Sequence, residues 1–291
     1  MFRKLLIILA CIGALCVNAF AVSVENIPTP RGRQLSEWTG VMASTRQIPI
    51  VMYHSVAEQE GEINPYVVTP KQLESDLQYL EAEGYTTLSI SDLIAFVNGE
   101  QLLPAKPILL TFDDGYADNY DNAFPLLKAY NAKATISCVM VHYDTYNPEA
   151  MPRFTPEQGL EMIESGLVEL QNHTYNLHTN IDHVGVLPAD GQDLDEYTAM
   201  LEADIDASKE LFAELEWPAA TTFTYPYGAS DELVLEIVKN NGYTVSLVTA
   251  AETINVVAVG DWDSLYELSR FDRSANVTTE AYFAMVEQYY G

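Results

Sequence analysis

The amino-acid sequence predicts an α/β fold in which a mostly parallel sheet curls into a barrel-like form. From residue 48 onward, short apolar runs alternate with amphipathic segments, and such alternation is typical of parallel strands connected by helices. The spacing of the runs over residues 48–291 favours a barrel. Apolar residues make up 48% of the 291-residue chain, which is sufficient for the core of one large domain.

Seven runs are interpreted as buried strands, because each is short, apolar and bounded by turn residues. In chain order they are PIVM, PILLTF, ATISCVMV, LVELQ, TTFTY, TVSLVT and YELSRF. The third run contains Cys138, which we expect to be a small buried side chain.

Five segments are predicted to be helical. Two open with a Thr-Pro pair, at Thr69 and Thr155, where threonine is a good N-cap and proline suits the first helical position. A third follows Ser230, and each of these three ends at a glycine. The remaining two cover residues 194–215 and 279–290.

The N-terminus has the composition of a secretory signal peptide. Arg3 and Lys4 precede an apolar stretch over residues 5–17, and Ala19-Phe20-Ala21 is a small-x-small cleavage site. We therefore expect a signal peptide over residues 1–21, a tail or linker over 22–47 and one folded domain over 48–291. Lipoprotein processing at Cys11 and an uncleaved membrane anchor are the alternatives.

The charge of the chain disfavours several classes of partner. The formal net charge is -28, so nucleic-acid phosphates and anionic membrane surfaces would be repelled. Acidity of this kind keeps a protein soluble, and a role in holding a cationic product stays open.

Polar residues collect where the predicted strands end. In (β/α) barrels the functional groups lie at the carboxyl ends of the strands. The residues that follow four of the predicted strands include three of the five histidines: Tyr53-His54, Asp113-Asp114-Gly115, His173 with His178, and Tyr225-Pro226-Tyr227.

Neither the carboxylates nor the histidines are decisive alone. Asp-Gly is a common turn pair, so Asp113-Asp114-Gly115 could be a simple turn. His173 and His178 are five residues apart, which places them on different faces of a regular helix. In a loop they could converge, and two histidines with one carboxylate form a metal-ligand set. Surface loop residues are the alternative.

Three motifs together resemble those of the polysaccharide deacetylases, carbohydrate esterase family four. LLTFDDGYADNYDNAFPLLKAYNAKATI resembles the first motif and its following helix, HTYNLH the second, and FTYPYG the third. The resemblance extends from residue 48 to the C-terminus. It implies an incomplete or distorted barrel of about seven to eight mostly parallel strands in a single catalytic domain.

The resemblance also implies roles for individual residues. Asp113 matches the general base, and Asp114, His173 and His178 match the ligands of one divalent metal ion, usually zinc. The backbone N–H of Tyr227 matches the oxyanion donor. The implied reaction is hydrolysis of an N-acetyl group, with acetate and a glucosamine unit as products.

Three departures from the family pattern distinguish this chain. The histidines of the second motif are spaced i,i+5 instead of i,i+4, and Thr224 and Tyr225 stand where a bracing arginine is usual. No histidine follows His183, so the usual general acid is absent. The departures are similar to those of exported poly-N-acetylglucosamine deacetylases, whose first strand ends in Tyr-His. This similarity implies His54 as general acid and Arg270 as the candidate bracing arginine.

The expected protein is a secreted or cell-surface hydrolase that acts on an acetylated polysaccharide of cell walls or biofilms. An O-acetyl esterase on xylan and a carbohydrate-binding protein without turnover are the alternatives. A glycosidase is disfavoured, because no second acid lies at another strand end. Tyr116, Asp118 and Asn119 are expected to shape the rim of the cleft, and His142 and His183 to be exposed to solvent.

Overall fold

The computed structural model describes residues 44–59, 63–145, 147–178, 184–249 and 253–290. The predicted signal peptide, the predicted tail up to residue 43 and His183 lie outside the described residues. Residues 45–47, which were assigned to the tail, form a strand. They pair with a later strand, over residues 256–258.

The chain forms twelve strands within the described ranges. They are β1 Thr45–Gln47, β2 Ile50–Tyr53, β3 Ser55–Val56, β4 Val67–Val68, β5 Thr86–Leu88, β6 Pro107–Asp114, β7 Ala134–Cys138, β8 Val168–Asn172, β9 Thr222–Thr224, β10 Val245–Leu247, β11 Val256–Ala258 and β12 Phe271–Asp272. The predicted run YELSRF is a strand only at its last residue.

Eight strands form one parallel sheet in the order β10-β9-β8-β7-β6-β2-β12, and β5 also pairs with β6. The two edges of this sheet approach each other, because Leu247 of β10 forms a parallel bridge with Leu268, just before β12. The predicted fold, a distorted or incomplete barrel of parallel strands, is therefore confirmed.

Eight α-helices accompany the strands in the described part of the chain. They are α1 Pro70–Ala82, α2 Ile90–Val97, α3 Phe124–Tyr130, α4 Val141–Asp144, α5 Pro156–Glu164, α6 Leu194–Glu214, α7 Glu232–Asn240 and α8 Thr279–Tyr290. None of the helices in these ranges combines the length and apolar character that a bilayer crossing requires.

The predicted N-caps at Thr69 and Thr155 are both present, each completed as a capping box by a glutamine three residues later. Helix α7 is capped by Asp231 instead of following Ser230 directly. Helix α2 was not predicted, because its eight residues ISDLIAFV are too few and too apolar to distinguish a helix from a strand.

The central strand β6 is buried along its whole length. Ile108, Leu110 and Phe112 pack into a core cluster with residues of the surrounding helices, whereas Leu109 belongs to a second cluster. Side chains of a strand alternate between its two faces. Asp113 therefore shares the face of Leu109 and Thr111, on the opposite side of the strand from Ile108, Leu110 and Phe112.

Candidate active site

The two adjacent carboxylates reach one site because the backbone turns at Asp114. This residue has a φ of 74° and the following Gly115 a φ of 71°, so the chain leaves the extended conformation at the end of β6. Asp tolerates the left-handed region better than most residues. A Cβ at Gly115 would lie 2.3 Å from the Tyr143 hydroxyl, so glycine is required there for space as well as conformation.

The two predicted histidine ligands converge on Asp114. His173 directly follows β8, and His178 lies five residues further in an irregular loop. Their Nε2 atoms are 3.8 Å and 3.2 Å from the same Asp114 carboxylate oxygen, Oδ1. The irregular loop thus brings the two histidines together beside Asp114, which a regular helix could not do with this spacing.

The state of His173 suits it to donate a lone pair. Its Nδ1 lies 2.7 Å from the carbonyl oxygen of Thr224, so Nδ1 carries the proton and Nε2 is free to ligate. Burial lowers the pKa of His173 to about 4, which keeps the ring neutral near pH 7.

The donor set fits a single divalent cation. One ligand atom from each of Asp114, His173 and His178 lies within 4.8 Å of the others. Asp114 Oδ1 is buried and receives no well-directed hydrogen bond from the described residues. Burial acts to raise the pKa of Asp114, but both nearby imidazoles hold it well below its usual value. An ionised carboxylate oxygen without a donor, facing two imidazole nitrogens, is the environment that a metal ion would complete.

Arg270 forms a bidentate ion pair with Asp113. Its Nη1 and Nη2 atoms donate to the two carboxylate oxygens at 2.7 Å and 2.8 Å, and both side chains are almost fully buried. Further bonds to the Val248 carbonyl and the Thr111 hydroxyl hold the guanidinium in place. Burial acts to raise the pKa of Asp113, but the Arg270 charge keeps it below the ordinary value. Asp113 is therefore ionised at neutral pH.

His54 also lines the cleft and comes immediately after β2. Its ring meets Tyr66 edge-on at 5.2 Å between centroids, and its carbonyl accepts a bond from the Asn119 side chain at 2.8 Å. Asp118 accepts bonds from the Ser55 hydroxyl and the Val56 N–H. Asp118 and Asn119 thus fix the segment that carries His54.

Tyr227 lies in a short turn that follows β9. Its φ of 59° and ψ of 10° are left-handed, and its side chain is 61% exposed. The Tyr227 ring lies 5.3 Å from that of His178, which places this turn beside the cation-binding residues.

A cleft of about 410 Å³ unites the predicted site residues other than Arg270, which lies behind Asp113. The lining includes His54, Asp113, Asp114, His173, His178 and Tyr227. A second cavity of about 330 Å³ adjoins Asp114 and His178. His142, expected to be exposed to solvent, is half-buried and lines this second cavity.

Sequence reasoning missed two residues near the site. Asp204 of α6 is buried and accepts the backbone N–H groups of Tyr175 and Asn176 at 2.8 Å and 2.7 Å. The sequence could have revealed Asp204, because it is an acidic residue at a position of the helix where apolar residues recur. Arg153 lines the second cavity and carries no local sequence signal, because its contacts come from a distant strand end.

Comparisons with known proteins agree with this geometry. Residues 101–246 match the family model described as polysaccharide deacetylase. YxkH of Bacillus subtilis, assigned without proof as a polysaccharide deacetylase, is 29% identical over 244 residues, which cover 83% of this chain and 76% of that protein.

A second relative is the poly-beta-1,6-N-acetyl-D-glucosamine N-deacetylase of Staphylococcus epidermidis. It is 27% identical over 67% of this chain, and the match covers 65% of the relative, slightly less than two thirds of its length. Among solved structures, a de-N-acetylase from Aggregatibacter actinomycetemcomitans superposes with a TM-score of 0.71 at 27% identity, covering 84% of this chain and 100% of that one.

The carboxyl end of the barrel-like parallel sheet thus carries a carboxylate pair and an Asp-His-His set that could hold a metal ion, which is the equipment of a metal-dependent hydrolase. Since the family model matches half of its residues, the chain belongs to the polysaccharide deacetylase family.

Proposed function

We propose that this protein removes N-acetyl groups from an extracellular polysaccharide that contains N-acetylglucosamine, with one divalent metal ion as cofactor. The observation that carries the proposal is the convergence of Asp114, His173 and His178 beside Asp113. The substrate assignment is supported by the relative named as a poly-N-acetylglucosamine deacetylase. Action outside the cell rests on the signal peptide predicted over residues 1–21.

Asp114, His173 and His178 would hold the cation, and zinc suits two imidazole nitrogens and one carboxylate oxygen. When bound, the cation would polarise the acetamide carbonyl and lower the pKa of a nearby water molecule. Asp113, ionised and held by Arg270, accepts the proton of the attacking water as general base.

Two further groups of this chain act on the reacting amide. The Tyr227 N–H donates a hydrogen bond to the oxygen on which negative charge develops. His54, which lines the same cleft, gives a proton to the departing amine. The C–N bond breaks, and acetate and a free amine result. Arg270 orients the base and keeps it ionised, as a bracing arginine does in the family pattern.

The alternative readings differ in what they require. An O-acetyl esterase would use the same residues but needs no strong proton donor to its leaving group, so the retention of His54 favours amide hydrolysis. A carbohydrate-binding protein without turnover would not need a buried base held by an arginine. The presence of the buried Asp113–Arg270 ion pair therefore favours an enzyme.

The proposal is tested by acetate release from soluble N-acetylglucosamine oligomers and from O-acetylated xylan. The native protein is assayed as purified, after chelation and after reloading with zinc. We expect release from the N-acetylated oligomers that is lost on chelation and restored by zinc. Faster release from xylan would support the esterase instead, and release unaffected by chelation would contradict the metal requirement.

A further inference from the structure

The second cavity, which adjoins the cation-binding residues Asp114 and His178, differs from the cleft in the residues that line it. Its polar lining includes Asp114, His178, Arg153 and His142. Val139 and Val141 supply apolar lining. The cavity therefore places a guanidinium and an apolar surface within one small volume beside the proposed reaction centre.

Arg153 is fixed in this position by its backbone and its side chain. It forms an antiparallel bridge with Tyr116, two residues after Asp114. Its guanidinium carbon lies 4.4 Å from the centroid of the Tyr116 ring, and Nη1 donates to the Met151 carbonyl at 2.5 Å. These contacts orient a planar cation before any ligand arrives, which reduces the entropy that binding would cost.

Among the described residues Arg153 forms no ion pair within 4.0 Å, although its charge acts on the Asp118 carboxylate. The ion pairs of the described chain do not include it, although the protein carries a net charge of -28. Its Nε is buried and has no hydrogen-bond acceptor there. A desolvated donor of this kind costs free energy unless a ligand satisfies it.

Within the lining of both cavities described for the chain, Arg153 is the one arginine or lysine. From these observations we infer that the second cavity is a binding subsite for a small carboxylate, with the carboxylate on Arg153 and an apolar substituent against Val139 and Val141. The guanidinium fork matches a carboxylate geometrically.

This inference rests on the proposed function, because deacetylation creates a carboxylate with a methyl group beside Asp114 and His178. Two sources supply this chemistry. One is the acetate product, which would move from the reaction centre into the cavity. The other is a carboxylate substituent on the glycan, such as the lactyl group of N-acetylmuramic acid.

The test compares Arg153→Gln with Arg46→Gln, a matched loss of one arginine on strand β1, which lines neither cavity. Acetate binding to the zinc-loaded proteins is titrated at constant ionic strength by calorimetry, without turnover. We expect acetate affinity to fall about tenfold in Arg153→Gln, the size of a charge-assisted hydrogen bond, and to stay unchanged in Arg46→Gln. Equal acetate affinity in Arg153→Gln and the native protein would overturn acetate as the ligand.

A second arm distinguishes the two sources. KM is measured for N-acetylglucosamine oligomers and for oligomers that alternate with N-acetylmuramic acid. A higher KM in Arg153→Gln for the second substrate alone assigns the subsite to a glycan carboxylate, and weaker acetate binding alone assigns it to the product. If neither quantity changes, the inference is wrong. Arg153→Lys keeps the charge but loses the bidentate guanidinium, so its affinity for acetate should be intermediate. This variant also keeps the test possible if Arg153→Gln does not fold.

These outcomes are separable from failure of the proposed function. Acetate titration needs no substrate, so a protein that does not release acetate from any glycan can still bind it through Arg153. Conversely, deacetylation with native acetate binding in Arg153→Gln would leave the proposed function intact and remove the subsite.

Discussion

At the scale of single residues, the site depends on the different surroundings of two adjacent carboxylates, Asp113 and Asp114. Asp113 lies on the same face of β6 as Leu109 and Thr111, and the two Arg270 hydrogen bonds hold its carboxylate in place. Asp114 is turned by its left-handed backbone toward two imidazoles. The adjacent carboxylates therefore have separate partners, and separate roles as base and ligand follow from this difference.

Replacing Arg270 with glutamine is expected to leave the buried Asp113 carboxylate without its cation. Breaking a buried ion pair typically costs about 3–5 kcal/mol of stability, and a misoriented base should abolish most acetate release. Urea unfolding and acetate assays check both effects. Arg270→Lys is the control, because it keeps the charge but loses the bidentate geometry. Native stability in Arg270→Gln would show that the pair is not maintained in solution.

Replacing His54 with alanine is expected to slow turnover without releasing the metal. General acids contribute about 10²- to 10⁴-fold to rate, and His54 is outside the Asp114–His173–His178 donor set. Metal content by mass spectrometry and kcat on N-acetylglucosamine oligomers are measured together. Loss of metal from His54→Ala would instead make His54 a ligand or a support of the ligands.

At the scale of elements, the sequence predicts which residues stand at the ends of the strands, but it does not predict the paths of the loops that follow them. The carboxyl ends of β2, β6 and β8 carry the functional residues because parallel strands end on one side of the sheet, and this follows from the sequence pattern. The path of residues 174–178 does not follow from it. That loop is held by Asp204 from α6, a contact between segments that no local periodicity connects.

Removing the Asp204 carboxylate is expected to loosen the loop that carries His178. Groups that orient metal ligands typically contribute about 10- to 100-fold to metal affinity, so Asp204→Leu should bind zinc at least tenfold more weakly by competition titration. Asp206→Leu, two residues along the same helix and exposed, is the matched control. Native zinc affinity in Asp204→Leu would mean that the loop is held by other contacts.

At the scale of the whole molecule, a buried ion pair ties the ends of the folded chain together. Asp76 of α1 accepts bonds from Arg273, after β12, and from Thr279 of α8. Tyr53, next to His54, donates to the same carboxylate at 3.0 Å. The sequence predicted α1, α8 and the strand before His54, but it could not pair residues about two hundred positions apart.

Substituting Asp76 with asparagine is expected to destabilise the whole domain, because Arg273 would be left as an uncompensated buried charge. The expected loss is about 3–5 kcal/mol of unfolding free energy, measured by urea denaturation. A combined Asp76→Leu and Arg273→Met variant should recover much of this loss, since apolar pairs of similar volume often replace buried ion pairs without cost. Equal instability of the single and combined variants would argue for a packing defect instead.

The most direct test of the account compares the two neighbouring carboxylates in parallel. Zinc content and acetate release from N-acetylglucosamine oligomers are measured for the native protein, Asp113→Asn and Asp114→Asn. We predict that Asp113→Asn keeps its zinc and loses acetate release, whereas Asp114→Asn loses both. Acetate release that survives in Asp113→Asn, or native zinc affinity in Asp114→Asn, would contradict the assignment of base and ligand.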